Sequence, residues 1–166
     1  KKLINLISKT NVRLAKIQIF NPEIFVLKNT KLAKYQKENT KNKYISQYDM
    51  LNNLCLSESN INKLSKFAKN KNVDLFASAF DISSFKVAYK LNNSIIKIPS
   101  GEITNFPLLE IIGSKNKLTL LSTGMSTELE ITSAIKVLLA NGLNKKNIVL
   151  MHCISNYPTK FQDLNL

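Results

Sequence analysis

Short apolar runs alternate with helical patterns along the whole chain, and this alternation constrains the fold more than any other feature. Residues 12–20, 73–80, 94–100, 117–123 and 147–153 read as strands, most of them rich in Ile, Val, Leu and Phe. Between them lie helices. Ser57 reads as the N-cap of a helix running to about Asn70, with Ile61, Leu64, Phe67 and Ala68 on one face. Shorter helices are expected over 83–91 and 106–114. Thr127 and Glu130 form a capping box before a helix through Ala140, which Asn141-Gly142 ends. Residues 1–9 read as the end of an earlier helix. Strands and helices in this order build βαβ units around a parallel sheet buried on both faces. Strand starts are about 21 to 30 residues apart, except across residues 21–56. That long insertion has little periodicity and carries Tyr35, Tyr44 and Tyr48.

There is no GxGxxG and no GxxxxGK[ST], so a nucleotide-binding doubly wound sheet has weak support. A complete (β/α)8 barrel needs about 250 residues. Five units and an orphan helix in 166 residues suit a partial TIM (β/α)8 barrel, about strands 2–6 of it. The chain opens on Lys1 and stops at Leu166 in an ordered-looking segment, which suggests a piece of a longer protein. With 44% apolar residues it is not a disordered chain. No run approaches ~20 apolar residues, so no transmembrane helix is expected, and no signal-peptide pattern opens the sequence.

The net charge of +13 invites a nucleic-acid reading, but the composition argues against it. Of 24 basic residues only Arg13 is an arginine, whereas phosphate forks and base edges favour Arg. The lysines lie scattered among 21 asparagines and 18 isoleucines, the bias of an AT-rich coding sequence, and most form a solvated surface. Cys55 and Cys153 lie far apart with no CxxC, which points to neither a disulfide scaffold nor a zinc knuckle. A reducing, cytoplasmic setting is the default.

Polar residues interrupt the strands in phase. Lys16 and Gln18 share one face of the first strand, opposite Ala15, Ile17 and Ile19. An ammonium there needs an anion, unless this is an edge strand with Lys16 in solvent. Lys97 interrupts the isoleucine run of the third strand, and Pro99-Ser100-Gly101-Glu102 follows at once. Ser100 and Gly101 offer a hydroxyl and close backbone approach to phosphate or carboxylate oxygens. Glu102 is a candidate general acid/base or hydroxyl-binding group. Ser122-Thr123-Gly124 and Ser78 end two further strands, where barrel active sites are found. His152 ends the last strand and reads as a hydrogen-bonding or core residue before a metal ligand. Cys153 reads as a small buried residue. Lys16 or Lys97 as a Schiff-base nucleophile is the sharper alternative. Two lysines beside hydroxyls suit a dianionic phosphate better.

These motifs stand in a familiar order: Lys16-Ile17-Gln18-Ile19-Phe20, Lys97-Ile98-Pro99-Ser100-Gly101-Glu102-Ile103-Thr104-Asn105-Phe106-Pro107-Leu108-Leu109, Leu121-Ser122-Thr123-Gly124-Met125, Leu150-Met151-His152-Cys153-Ile154-Ser155-Asn156-Tyr157-Pro158, and a tail from Phe161 to Leu166. Over essentially its whole length the chain closely resembles the bacterial sialic acid synthase family, including its legionaminate, pseudaminate and spore-coat polysaccharide relatives. The resemblance implies condensation of phosphoenolpyruvate with an open-chain N-acetylated hexosamine, such as N-acetylmannosamine, to a nine-carbon 2-keto sugar acid and phosphate. It implies that Lys16, Ser78, Lys97, Ser100, Ser122 and Ser155 hold phosphate and carboxylate. Gln18, Glu102 and Tyr157 then face the sugar or the reacting carbons, with Glu102, Lys97 and Lys16 as the catalytic candidates.

Two positions depart from the family pattern. Ser78 stands in Phe76-Ala77-Ser78-Ala79-Phe80, where the family usually has Ser-Thr-Pro-Phe, and Ser155 stands where some members have Asn. The resemblance also implies a divalent metal (Mn or Mg) whose two histidine ligands lie beyond Leu166, so no metal site is expected in residues 1–166. A sugar-binding glutamate would precede Lys1, and a C-terminal antifreeze-like domain would follow. The whole protein is expected to be a cytoplasmic homodimer with no nucleic-acid or membrane partner. The 166 residues alone are expected to be inactive. Rival readings are a deoxy-octulosonate or deoxy-heptulosonate phosphate synthase, a Schiff-base aldolase, or a non-catalytic barrel remnant that binds anions or a partner.

Overall fold

The computed structural model describes residues 1–92 and 94–164. Asn165 and Leu166 of the tail motif lie outside them. Five strands form one sheet: β1 (Leu14–Ile19), β2 (Asp74–Ala79), β3 (Ile95–Ile98), β4 (Leu118–Ser122) and β5 (Ile148–Met151). They are parallel throughout and ordered β1-β2-β3-β4-β5. A doubly wound sheet reverses its strand order part-way; this one never does. Right-handed crossovers in an unreversed sheet put every connecting helix on the same face, which is the wall of a barrel.

The helices are α1 (Lys2–Ile7), α2 (Pro22–Phe25), α3 (Lys34–Asn39), α4 (Gln47–Leu54), α5 (Glu58–Lys69), α6 (Ile82–Leu91), α7 (Phe106–Gly113) and α8 (Glu128–Ala140). The expected caps are present. Ser57 Oγ accepts from the Asn60 N–H, and Thr127 with Glu130 closes the capping box of α8. α8 ends in a Schellman arrangement: the Leu143 N–H donates to the Leu138 carbonyl, the Gly142 N–H donates to the Leu139 carbonyl, and Gly142 takes φ 102°. α6 begins one residue earlier than the sequence suggests. Asp81, which is polar and accepts from the Ser84 N–H, serves as its cap.

The insertion over residues 21–56 differs from expectation. It folds into α2, α3 and α4, each too short to show a hydrophobic period in the sequence. The core forms between the sheet's outer face (Ile19, Ala77, Ala79, Ile96, Ile98, Leu121) and helix residues such as Ile61, Phe85, Leu108, Leu109, Ala134 and Leu138.

Burial on both faces of the sheet is the second expectation to be corrected. The inner face of β1 is open: Lys16 and Gln18 are exposed. Leu14 and Leu118, lower on the same concave face, and Val149 and Met151 of the other edge strand, β5, are also exposed. β1 is an edge strand. Ser78, Lys97 and Ser122, on the three central strands, are nevertheless buried, whereas Gln18, Val149 and Met151 at the same levels on the edge strands are exposed.

Candidate active site

The register brings the polar strand residues together. Gln18 is level with Ser78 across β1 and β2, and Ser78 is level with Lys97 across β2 and β3. Lys97 Nζ reaches up its own strand, donating to the Ile98 carbonyl and to Ser122 Oγ on β4, both at 2.6 Å. Only 8% of Lys97 is exposed; burial, together with the positive charge of Lys16 and against the opposing effect of Cys153, lowers its pKa to about 8. Cys153 is half-buried instead of buried; its thiol donates to the same Ser122 oxygen at 3.3 Å. Sequence reasoning missed this contact because nothing in the local pattern of Cys153 announces a partner 31 residues away.

Among the described residues the ion pair found is Lys28–Glu23 on the surface, so neither Lys16 nor Lys97 has a carboxylate within 4.0 Å. Beside them, Ser78 is 1% exposed and its hydroxyl has no hydrogen-bond partner. A buried hydroxyl left unpaired costs about 1–3 kcal/mol, so such an atom calls for a ligand oxygen or a water. Two cations without a carboxylate partner and an orphan hydroxyl thus share one face.

Gly124 draws the remaining hydroxyls in. Its N–H donates to Ser100 Oγ at 2.9 Å. A Cβ at this position would stand 2.8 Å from Ser155 Oγ, 3.0 Å from Ser100 Oγ and 3.3 Å from the Cys153 carbonyl. The loops after β3, β4 and β5 can therefore converge only around a glycine. Gly101 is different: a Cβ there would meet nothing within 4 Å, so no close approach within the chain requires it.

Glu102 ends a 3₁₀ turn over Ser100–Glu102 and is 7% exposed. Burial pushes its carboxyl above the usual range. A hydrogen bond from Asn105 works against that rise, and the negative charge of Asp81 adds to it. At Asp81 burial acts in the same direction, but hydrogen bonds from Ser83, Ser84 and Asn21 outweigh it and hold that carboxyl low.

The other expected residues assemble less tightly. Lys16 and Gln18 look onto the open face. Tyr157 is 67% exposed, its carbonyl accepts from Asn39 Nδ2 at 3.3 Å, and its ring centre lies 6.3 Å from that of Tyr35. The insertion thus reaches across to the loop after β5, which no local pattern foretold. His152 Nε2 donates to the Leu164 carbonyl at 2.8 Å. Among the described residues no three His, Cys, Asp or Glu side chains gather around one point. These residues do not fit a divalent cation, and no chemical step is assigned to one.

A profile of the NeuB family matches residues 3–166. The chain belongs to the NeuB family. It is 38% identical over 166 residues to N,N'-diacetyllegionaminic acid synthase of Campylobacter jejuni, covering 100% of this chain and 49% of that protein. The protein of the same name from Legionella pneumophila is 37% identical over 169 residues, with coverage of 100% and 47%. In three dimensions the NeuB-family chain resembles N-acetylneuraminic acid (sialic acid) synthetase from Leptospira borgpetersenii. The TM-score is 0.79 at 24% identity, over 99% of this chain and 51% of that one. The chain spans about half the length of the curated relatives it matches. Among the described residues no helix is long and apolar enough to cross a membrane.

Proposed function

We propose that the whole protein condenses phosphoenolpyruvate with an open-chain N-acetylated hexosamine, yielding a nine-carbon 2-keto sugar acid and inorganic phosphate. The observation that carries this reading is the buried, carboxylate-free pairing of Lys97 with Ser122 beside the orphan Ser78 hydroxyl, in a chain of the NeuB family. C3 of phosphoenolpyruvate attacks the aldehyde carbon, and the aldehyde oxygen takes up a proton. A water oxygen bonds to C2, loses its protons, and the C2–O bond to phosphorus breaks, so phosphate leaves and C2 becomes the ketone.

In this reading Lys16 and Lys97, with Ser78, Ser100, Ser122 and Ser155, hold the phosphate and carboxylate. Charge fixed beforehand stabilises charge that develops during the reaction. Glu102 exchanges a proton at the reacting carbons, a role for which a buried carboxyl with a raised pKa is suited. Gln18 and Tyr157 face the acceptor. The names of the Campylobacter and Legionella relatives support a diacetamido hexose as acceptor alongside N-acetylmannosamine. A cytoplasmic homodimer, with a divalent metal held by residues outside these 166, completes the proposal, and the 166 residues alone are inactive.

The test supplies the whole protein with phosphoenolpyruvate, Mn²⁺ and a panel of N-acetylated hexosamines in ¹⁸O-water, following phosphate release and product mass. Label in the sugar acid and none in phosphate supports the reading; no turnover across the panel, or label in phosphate, overturns it. Synthase activity of the isolated 166 residues with Mn²⁺ overturns the claim that they are inactive.

A further inference from the structure

Among the described residues a single side chain hydrogen-bonds the Glu102 carboxylate. Asn105 Nδ2 donates to Glu102 Oε2 at 2.7 Å, while Asn105 Oδ1 accepts from the Leu108 N–H at 3.3 Å as the N-cap of α7. Both ends of the amide are committed, and this fixes which end faces the carboxylate. The backbone adds another tie, since the Asn105 N–H donates to the Glu102 carbonyl at 3.0 Å. Pro107, in the first turn of α7, stiffens the helix end on which Asn105 is mounted.

We propose that Asn105 is the positioning residue of Glu102, holding its carboxylate in one orientation. As a part of the reaction this rests on the reading of Glu102 given above; as a property of the fold it does not. Glu102 has no cation within 4.0 Å among the described residues. Its own burial and the charge of Asp81, at the N-terminus of α6, both favour the neutral acid, and Asn105 supplies the opposing hydrogen bond. Without that donor the buried carboxyl keeps its proton to higher pH, and no other hydrogen bond among the described residues orients it.

Two variants of the whole protein separate this role from capping. Asn105→Ser keeps an oxygen for the helix cap but has no donor that reaches Glu102. Asn105→Asp keeps the cap and sets a second carboxylate against Glu102. The Glu102 carboxyl is titrated by ¹³C NMR, with Glu102→Gln identifying its signal. The expected result is a midpoint that rises in Asn105→Ser and rises further in Asn105→Asp, with the Tm of Asn105→Ser close to that of the parent. The acid limb of kcat moves in the same direction while KM for phosphoenolpyruvate holds. A midpoint unchanged in both variants overturns the inference, whatever their stability. If the midpoints rise but Glu102→Gln retains full synthase activity, the positioning stands and the catalytic reading of Glu102 fails.

Discussion

Lys97 of β3 and Ser122 of β4 meet at 2.6 Å on the concave face, with Lys97 buried and unpaired by any carboxylate among the described residues. An ammonium kept out of water by a hydroxyl and a carbonyl is poorly solvated, and an arriving anion relieves that state.

Lys97→Met is therefore predicted to weaken phosphoenolpyruvate binding by on the order of 10- to 100-fold, the worth of a charge-assisted hydrogen bond. The fold should be held or made more stable, because a buried charge is removed. Ser122→Ala is predicted to cost less, roughly fivefold, because Lys97 keeps the Ile98 carbonyl. Titration calorimetry and thermal unfolding of the same samples check both. Lys97→Met with unchanged affinity would refute the anion site.

The pH dependence follows from Lys97. Its pKa is about 8 when folded and 10.5 as an ordinary lysine, so between those values the unfolded chain binds more protons. The destabilisation from burying the charge is then fully present below about pH 8 and is relieved as pH rises toward 10.5. Binding of an anion favours the charged form, so phosphoenolpyruvate binding at pH 8 is predicted to take up protons and to weaken as pH rises further. Calorimetry in buffers of different ionisation enthalpy reads the uptake. Lys97→Met should abolish it.

Gly124→Ala is predicted to leave the helices and sheet intact and to disable the site. The added Cβ overlaps Ser155 Oγ and Ser100 Oγ and crowds the Cys153 carbonyl, and the last of these is backbone that cannot rotate away. The hydrogen bond from Gly124 to Ser100 is lost with the displacement. Circular dichroism close to that of the parent with phosphoenolpyruvate affinity reduced at least tenfold is the expected pair of results.

Thr127→Ala removes the cap of α8, where Thr127 Oγ1 accepts from the Glu130 N–H. A loss of about 1 kcal/mol in unfolding free energy is expected, with anion affinity unchanged. Denaturant unfolding measures the first and calorimetry the second. A change in affinity would show that α8 is coupled to the site.

Local chemistry made much of this protein legible in its sequence. Strand and helix periods, the caps at Ser57 and Thr127, and the glycine at 142 are set by residues a few positions apart, so five parallel strands and helices α1 and α5 to α8 could be read directly, while α2, α3 and α4 of the insertion could not. Lys97, Ser78 and Ser122 were legible for a related reason: a polar residue within or at the end of an apolar run stands out without coordinates. Tertiary structure alone decided which of these residues are buried and what each one touches. It left Lys16 and Gln18 open on an edge strand, set the Cys153 thiol against Ser122, packed the insertion's Asn39 against Tyr157, and turned Asn105 onto Glu102 while that residue also capped α7. Such contacts depend on the register between strands and on where loops converge. Those are properties of the packed sheet, which no single segment of the chain encodes by itself.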